Sequence, residues 1–307
     1  MIITASGRRI AARVSAPLAA AMVAIAACGS RAARRTMCRP VRAPRSIRRA
    51  CLTRIACTMV VALALALAAP AQAQTNLQLW GNVTLDWMKS SRLAYELDVE
   101  PKVLLAAPEG EPGWHNLDLT PGVGYAWKSW LDVMGETAVG YTKQTDDVNS
   151  WEVTPRAGAR VHLFSRNLPT AIPGRPFQKE FPPRRRVVLR DLARVESRNL
   201  FYTGSGSGSS STVRFRNRLE LLVPLDRETL SADRVWYLLA DWEWFIPLGE
   251  PDERFANKQR IRAGVGYRRN FAWRFELLYM WTRSRNTIEE GFTTNDHIID
   301  VRIKRVF

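Results

Sequence analysis

The chain has 307 residues, 46% of them apolar, with a formal charge of +16 and four cysteines. Residues 1–73 hold 12 Arg, no Lys, Asp or Glu, and Cys28, Cys38, Cys51 and Cys57; residues 74–307 hold 33 Lys+Arg against 29 Asp+Glu, a net +4. A uniformly basic, nucleic-acid-binding chain is thus argued against, and so are a disulfide framework and a zinc site, because the cysteines follow no ligand spacing and lie outside the body.

Arg48, Arg49 and Arg54 lead into an apolar run over 55–69, followed by Pro70 and the small-x-small triplet Ala71-Gln72-Ala73. A basic start, a short apolar run and such an exit form a secretory signal peptide, predicting cleavage near Ala73/Gln74. The run is shorter than the roughly 20 apolar residues of a membrane-spanning helix. Met37 would open an n-region of ordinary size, which makes residues 1–36 a mis-set gene start or a disordered extension. Ile25 to Gly29, with Cys28, competes as a lipoprotein-type cleavage box. Two parts are expected: residues 1–73 as extension plus signal, and 74–307 as one domain.

From Leu77 onward apolar and polar residues alternate in segments of about ten residues, the period of a strand with two unlike faces. Leu77, Leu79, Val83, Leu85 and Trp87 share a face; Leu93, Tyr95, Leu97 and Val99 oppose Glu96, Asp98 and Glu100; Leu117 to Trp127 continue the pattern. Residues 131–143 and 187–202 are less regular. In 151–163 the polar face holds Glu152, Thr154, Arg156, Arg160 and His162. Later segments set Arg214, Arg216, Arg218 and Glu220, then Asp241 and Glu243, then Arg260 and Arg262, then Arg274 and Glu276 against apolar faces. The last sets Ile299, Val301, Ile303 and Phe307 against Asp300, Arg302 and Lys304. Eleven segments are visible. The links are polar, among them GSGSGSSS at 204–211 and the long Pro-rich 166–186, which is either a large loop or the cover of a further strand.

The polar faces are charged rather than merely polar, which suits an apolar exterior around a wet or ion-paired lumen. Trp273 and Trp281 are eight residues apart on one face, about 26 Å along a strand and roughly 20 Å of depth once tilted. The terminal Phe307 resembles the assembly signal of outer-membrane barrels, although Arg305 falls on the lipid-facing side. The expected fold is all-β, an antiparallel up-and-down transmembrane barrel of about 10–12 strands. Twelve is favoured because single-chain bacterial barrels usually have even counts.

The run Trp242-Glu243-Trp244-Phe245, the segment 257–270 (NKQRIRAGVGYRRN), residues Phe275 to Met280, the segment Arg216-Asn217-Arg218-Leu219 and Phe307 resemble an outer-membrane family, domain of unknown function family 2490. The resemblance implies a Gram-negative outer-membrane β-barrel and carries no catalytic residues. It is most specific across 214–281.

No motif for chemistry stands out. His115, His162 and His297 are the only histidines, and none sits in a metal-ligand spacing, so no metal and no cofactor are expected. The polar ladder of Arg156, Arg160, Arg214, Arg216, Arg218, Glu220, Asp241, Glu243, Arg260, Arg262, Arg274 and Glu276 reads either as ion pairs filling the lumen or as the lining of an anion pore or ligand pocket. The Arg184-Arg185-Arg186 cluster reads as a solvated loop or lipid-headgroup contact, not a nucleic-acid site. The leading expectation is a bacterial outer-membrane barrel, structural or weakly channel-forming and not an enzyme, with membrane lipid and the barrel-assembly machinery as partners. The alternatives are a lipid-acting outer-membrane hydrolase using His162, with Glu152 or Thr154, or His115, and a secreted soluble β-sandwich binding module.

Overall fold

The computed structural model describes residues 74–107, 112–145, 148–164, 187–204, 208–249, 257–285 and 294–307. The signal segment, the box at Cys28, the alternative start at Met37, and the segment 166–186 with its three arginines lie outside the described residues.

β-Branched and aromatic side chains at every second position favour a pleated strand with two unlike faces. Among the described residues this produces eleven strands: β1 (Gln74–Met88), β2 (Leu93–Ala106), β3 (Trp114–Lys128), β4 (Leu131–Gln144), β5 (Asn149–His162), β6 (Val188–Thr203), β7 (Gly208–Pro224), β8 (Val235–Pro247), β9 (Asn257–Arg268), β10 (Trp273–Arg285) and β11 (Thr294–Val306). Each pairs antiparallel with its neighbour in the chain, and the sheet closes into a barrel where β11 meets β1. β5 and β6 pair directly, so the ring has no place between them for a further strand. With strands about 4.8 Å apart and tilted by roughly 40°, the backbone cylinder is about 22 Å wide.

The eleven segments read from the alternation are the eleven strands, and the expected even count of twelve is corrected. An odd number makes the first and last strands run the same way, so the closing pair is parallel, in register from Gln74↔Thr294 to Asp86↔Val306. A parallel ladder still satisfies both strand edges, at slightly lower stability per residue. This seam is fastened on both faces. Inside, Lys304 Nζ pairs with Asp86 at 2.9 Å and with Glu96 at 2.8 Å. At the rim the Phe307 N–H donates to the Asp86 carbonyl at 2.8 Å. Outside, the Phe307 ring stacks on Trp87 at 5.6 Å.

The serine-rich run also departs from expectation. Its second half is strand, with Ser209, Ser210 and Ser211 paired to Phe201, Leu200 and Asn199. Ladder hydrogen bonds come from backbone, so small polar residues extend a strand wherever a neighbour presents a free edge.

The alternation sorts the side chains by polarity, with apolar groups outside. Leu277, Trp236 and Trp127 are 55%, 46% and 56% exposed on the outer face, whereas Glu196, Glu243 and Asp300 inside are 0% exposed. Arg305, on the outer face, lies over the Trp273 ring at 4.6 Å and the Phe307 ring at 5.1 Å, so its charge is held in an aromatic rim. Among the described residues an apolar cluster inside the barrel, Val188, Leu222, Leu230, Tyr237, Leu239 and Leu278, lies toward the end that carries Phe307. Leu230 enters it from the β7–β8 link and is anchored there by its carbonyl, which accepts from Arg268 Nη1 at 2.9 Å. Gly266 makes this floor possible: a Cβ there would lie 2.1 Å from the Tyr237 ring.

Candidate functional site

The inward positions of β5 to β10 place guanidiniums and carboxylates on adjacent strands, where cross-strand neighbours are about 5 Å apart. Their centre is Glu196 on β6. Its carboxylate meets Arg214 at 2.8 Å, Arg194 and Arg216 at 3.0 Å and Arg156 at 3.5 Å. Glu136 on β4 supports the same group, accepting from Arg194 at 2.6 Å and from Arg156 at 3.1 Å. Glu243 on β8 takes Arg216 at 2.5 Å, Arg260 at 3.2 Å and Arg262 at 3.8 Å. Asp241 accepts two hydrogen bonds from Arg262 Nε, at 2.8 and 2.9 Å.

Two large aromatics are set among these cations: Trp80, with Arg260 5.3 Å from its ring centroid, and Phe245. The guanidiniums of Arg214, Arg216 and Arg260 and the ammonium of Lys258 lie 4.6–5.2 Å from the Phe245 ring centroid. A ring face attracts positive charge, so Phe245 offsets repulsion that the carboxylates leave.

Closer to the apolar floor, Arg190 Nε donates to Glu220 at 2.5 Å, and Arg274 pairs with Glu276 at 3.3 Å. The Tyr237 hydroxyl donates to Glu276 at 2.6 Å, joining the floor to the charged layer. Arg302 pairs with Asp300 on its own strand at 2.5 Å.

Across the lumen, β2 to β4 carry Glu96, Asp98, Glu100, Asp118, Asp132 and Glu136. Lys102, 3.0 Å from Glu100 and bonded to Asp118, is the one cation among the described inward side chains of β1 to β4. By ring order these strands lie opposite the arginine-rich β6 to β9, so the lumen has an acidic wall and a basic wall. Between them is a cavity of about 290 Å³. A second cavity of about 100 Å³ lies toward the Phe307 end, against Gly122, Gly124, Gly135 and Ala126. Both touch Glu96, Met134, Glu136, Arg160 and Lys304.

Ten of the twelve ladder residues read from the sequence border the larger cavity: Arg156, Arg160, Arg214, Arg216, Arg218, Glu220, Arg260, Arg262, Arg274 and Glu276. Asp241 and Glu243 are buried behind it and neutralise arginines from the wall side. Phe307 sits outside, on Trp87. Sequence reasoning missed Glu136 on β4 and Arg190, Arg194, Glu196 and Arg198 on β6. Strand β6 mixes its faces: Val188, Leu192 and Leu200 point inward with the charges, while Asp191 points outward, held by Asn217 at 3.0 Å. The charged positions 190, 194, 196 and 198 do keep the two-residue period, and that was the available signal.

The histidines are scattered. His162 Nε2 is 2.8 Å from Asp132 Oδ2 inside the barrel. Glu152 and Thr154, the partners considered for it, lie farther along β5 and bond each other at 2.7 Å. His115 is exposed on β3, and His297 bonds the Tyr279 hydroxyl between β11 and β10. Among the described residues no group of three His, Cys, Asp or Glu side chains is arranged to hold a metal ion.

The family described as "Protein of unknown function (DUF2490)" matches residues 77–292, from β1 through the whole of β10. The chain belongs to that family. In this DUF2490 chain the match covers the ion-paired ladder, whereas β11, which closes the ring, and Phe307 lie beyond it. No curated protein and no solved structure matches the chain.

Proposed function

We propose that this DUF2490 protein is an integral β-barrel of the bacterial outer membrane, structural or weakly channel-forming, without enzymatic activity of its own. The observation that carries this reading is the inverted polarity of the barrel: Leu, Val and Trp side chains outside, fully buried carboxylates and guanidiniums within. Apolar surface left in water costs about 25 cal/mol per Å². An exterior of this kind is at low free energy against hydrocarbon, and a closed ring leaves no unpaired strand edge there. The export-type segment ending at Ala73, just before β1 begins at Gln74, supports passage across the inner membrane. The terminal Phe307 and its aromatic rim support recognition by the barrel-assembly machinery.

Low conductance follows from the filling. Salt-bridged arginines project into the lumen from adjacent strands, and the Leu230 floor covers part of the Phe307 end. Fractionated cells should therefore retain the chain in the outer membrane, and it should migrate faster on a gel unheated than after boiling. Recovery in the soluble fraction without detergent overturns the reading. In planar bilayers the purified barrel should conduct far less than an open porin.

A further inference from the structure

Two arginines of the lumen have no carboxylate within ion-pair distance among the described residues. Arg160 on β5 and Arg218 on β7 border the larger cavity, and neither makes an ion pair or hydrogen bond with another described residue. The Nε of each is buried without an acceptor. Register explains why. Across β4 to β8 one row reads Asp132↔Arg160↔Leu192↔Arg218↔Glu243. An apolar side chain separates the two arginines, and the flanking carboxylates are held by other groups, Asp132 by His162 at 2.8 Å and Glu243 by Arg216 at 2.5 Å and Arg260 at 3.2 Å. The next row toward the floor opposes Arg190 to Glu220.

Glu220, one row closer to the floor, is shared as well. It pairs with Arg190 and is also within electrostatic range of Arg218, Arg160 and Arg262. Arg262 is already bound to Asp241. The carboxylates around Arg160 and Arg218 are thus each held by another cation or by His162, and these two guanidiniums are left at the cavity wall without an ion pair of their own. The walls of the cavity carry fifteen Lys and Arg side chains and eight Asp and Glu, with Glu196, Asp241 and Glu243 buried behind them.

Guanidiniums without an ion-pair partner in a confined lumen recruit an anion, and their planar forks suit the paired oxygens of an oxyanion. We propose that Arg160 and Arg218, with Arg190 beside them, form a binding site for a tetrahedral oxyanion, either free phosphate or the phosphoryl group of a small solute. Leu192 is the floor between the two forks, and the 290 Å³ cavity admits the anion with several waters. The site depends on the lumen and not on what covers the outer face. It goes beyond the membrane reading, and either can fail without the other.

The test is calorimetric titration of inorganic phosphate into the folded barrel in detergent micelles, with ionic strength held constant by chloride. Saturable binding is expected, competed by sulfate and not by chloride; a parallel titration with glycerol phosphate separates the phosphoryl group of a solute from the free ion. The double variant Arg160→Gln/Arg218→Gln should bind phosphate at least tenfold more weakly. Because neither arginine has a partner to orphan, this variant should keep wild-type heat-modifiable migration in chloride. Lys258→Gln removes a cation from the same lumen away from this row and should change affinity by less than twofold. Equal weakening by Lys258→Gln overturns the site in favour of diffuse attraction. So does a wild-type barrel that binds nothing at about 10 mM phosphate, ten times the roughly 1 mM dissociation constant of a weak site.

Discussion

Replacing Glu196 by glutamine removes one negative charge where four guanidiniums converge, while keeping the side chain's volume. Three of the four retain another carboxylate: Arg156 and Arg194 keep Glu136, and Arg216 keeps Glu243. Arg214 loses its only ion-pair partner among the described residues and keeps only the Phe245 ring at 4.8 Å. At an effective dielectric near 20, a unit-charge contact at about 4 Å is worth roughly 4 kcal/mol before desolvation. Removing one partner from a buried pair typically costs about 3–5 kcal/mol, because the remaining charge stays out of water. The same loss, about 3–5 kcal/mol, is expected for Glu196→Gln. It can be measured by urea unfolding of the micelle-folded barrel, followed by the fluorescence of its eleven tryptophans. Adding Arg214→Met should recover most of the loss, since taking both partners away leaves no uncompensated charge. A cost below about 1 kcal/mol, the value of a solvent-screened pair, would refute the reasoning and mean that water fills the lumen around Glu196.

Gly266→Leu should lower stability by about 1–3 kcal/mol by forcing the Tyr237 ring off β9, whereas Gly124→Ala, with nothing within 4 Å of the added Cβ, should leave the unfolding midpoint unchanged. Leu230→Ala should cost about 2–5 kcal/mol and raise single-channel conductance, since this fully buried side chain is part of the floor; unchanged conductance would show that the floor does not limit passage. Deleting Phe307 should reduce the amount assembled in the outer membrane of cells while leaving refolding into micelles intact, a split read by fractionation against heat-modifiable migration. His162→Ala should leave lipid hydrolysis at background, as in the wild type; a hydrolytic activity lost in this variant would establish the enzyme reading.

Much of the interior is legible in the sequence, and for a local reason. Successive side chains of a strand point to opposite faces, so Arg214, Arg216, Arg218 and Glu220 had to share a side wherever β7 lay. Where that period carried a clean polarity contrast, as in β8 and β10, both strand and face could be read. Where it did not, as in β6, the strand was visible and its charged positions were overlooked, because Leu192 and Leu200 share their face and Asp191 occupies the other.

The sequence by itself therefore determined that eleven segments are extended and which side chains share a face, since both follow from covalent geometry and a two-residue period. Tertiary structure alone decided how the ring closes, because the parallel meeting of β1 and β11 depends on the number of strands and not on any residue within them. It also decided which charges are paired. Glu196 serves four arginines while Arg160 and Arg218 stand on either side of Leu192, because inter-strand register sets the row each side chain enters, and register is a property of neighbouring strands rather than of one.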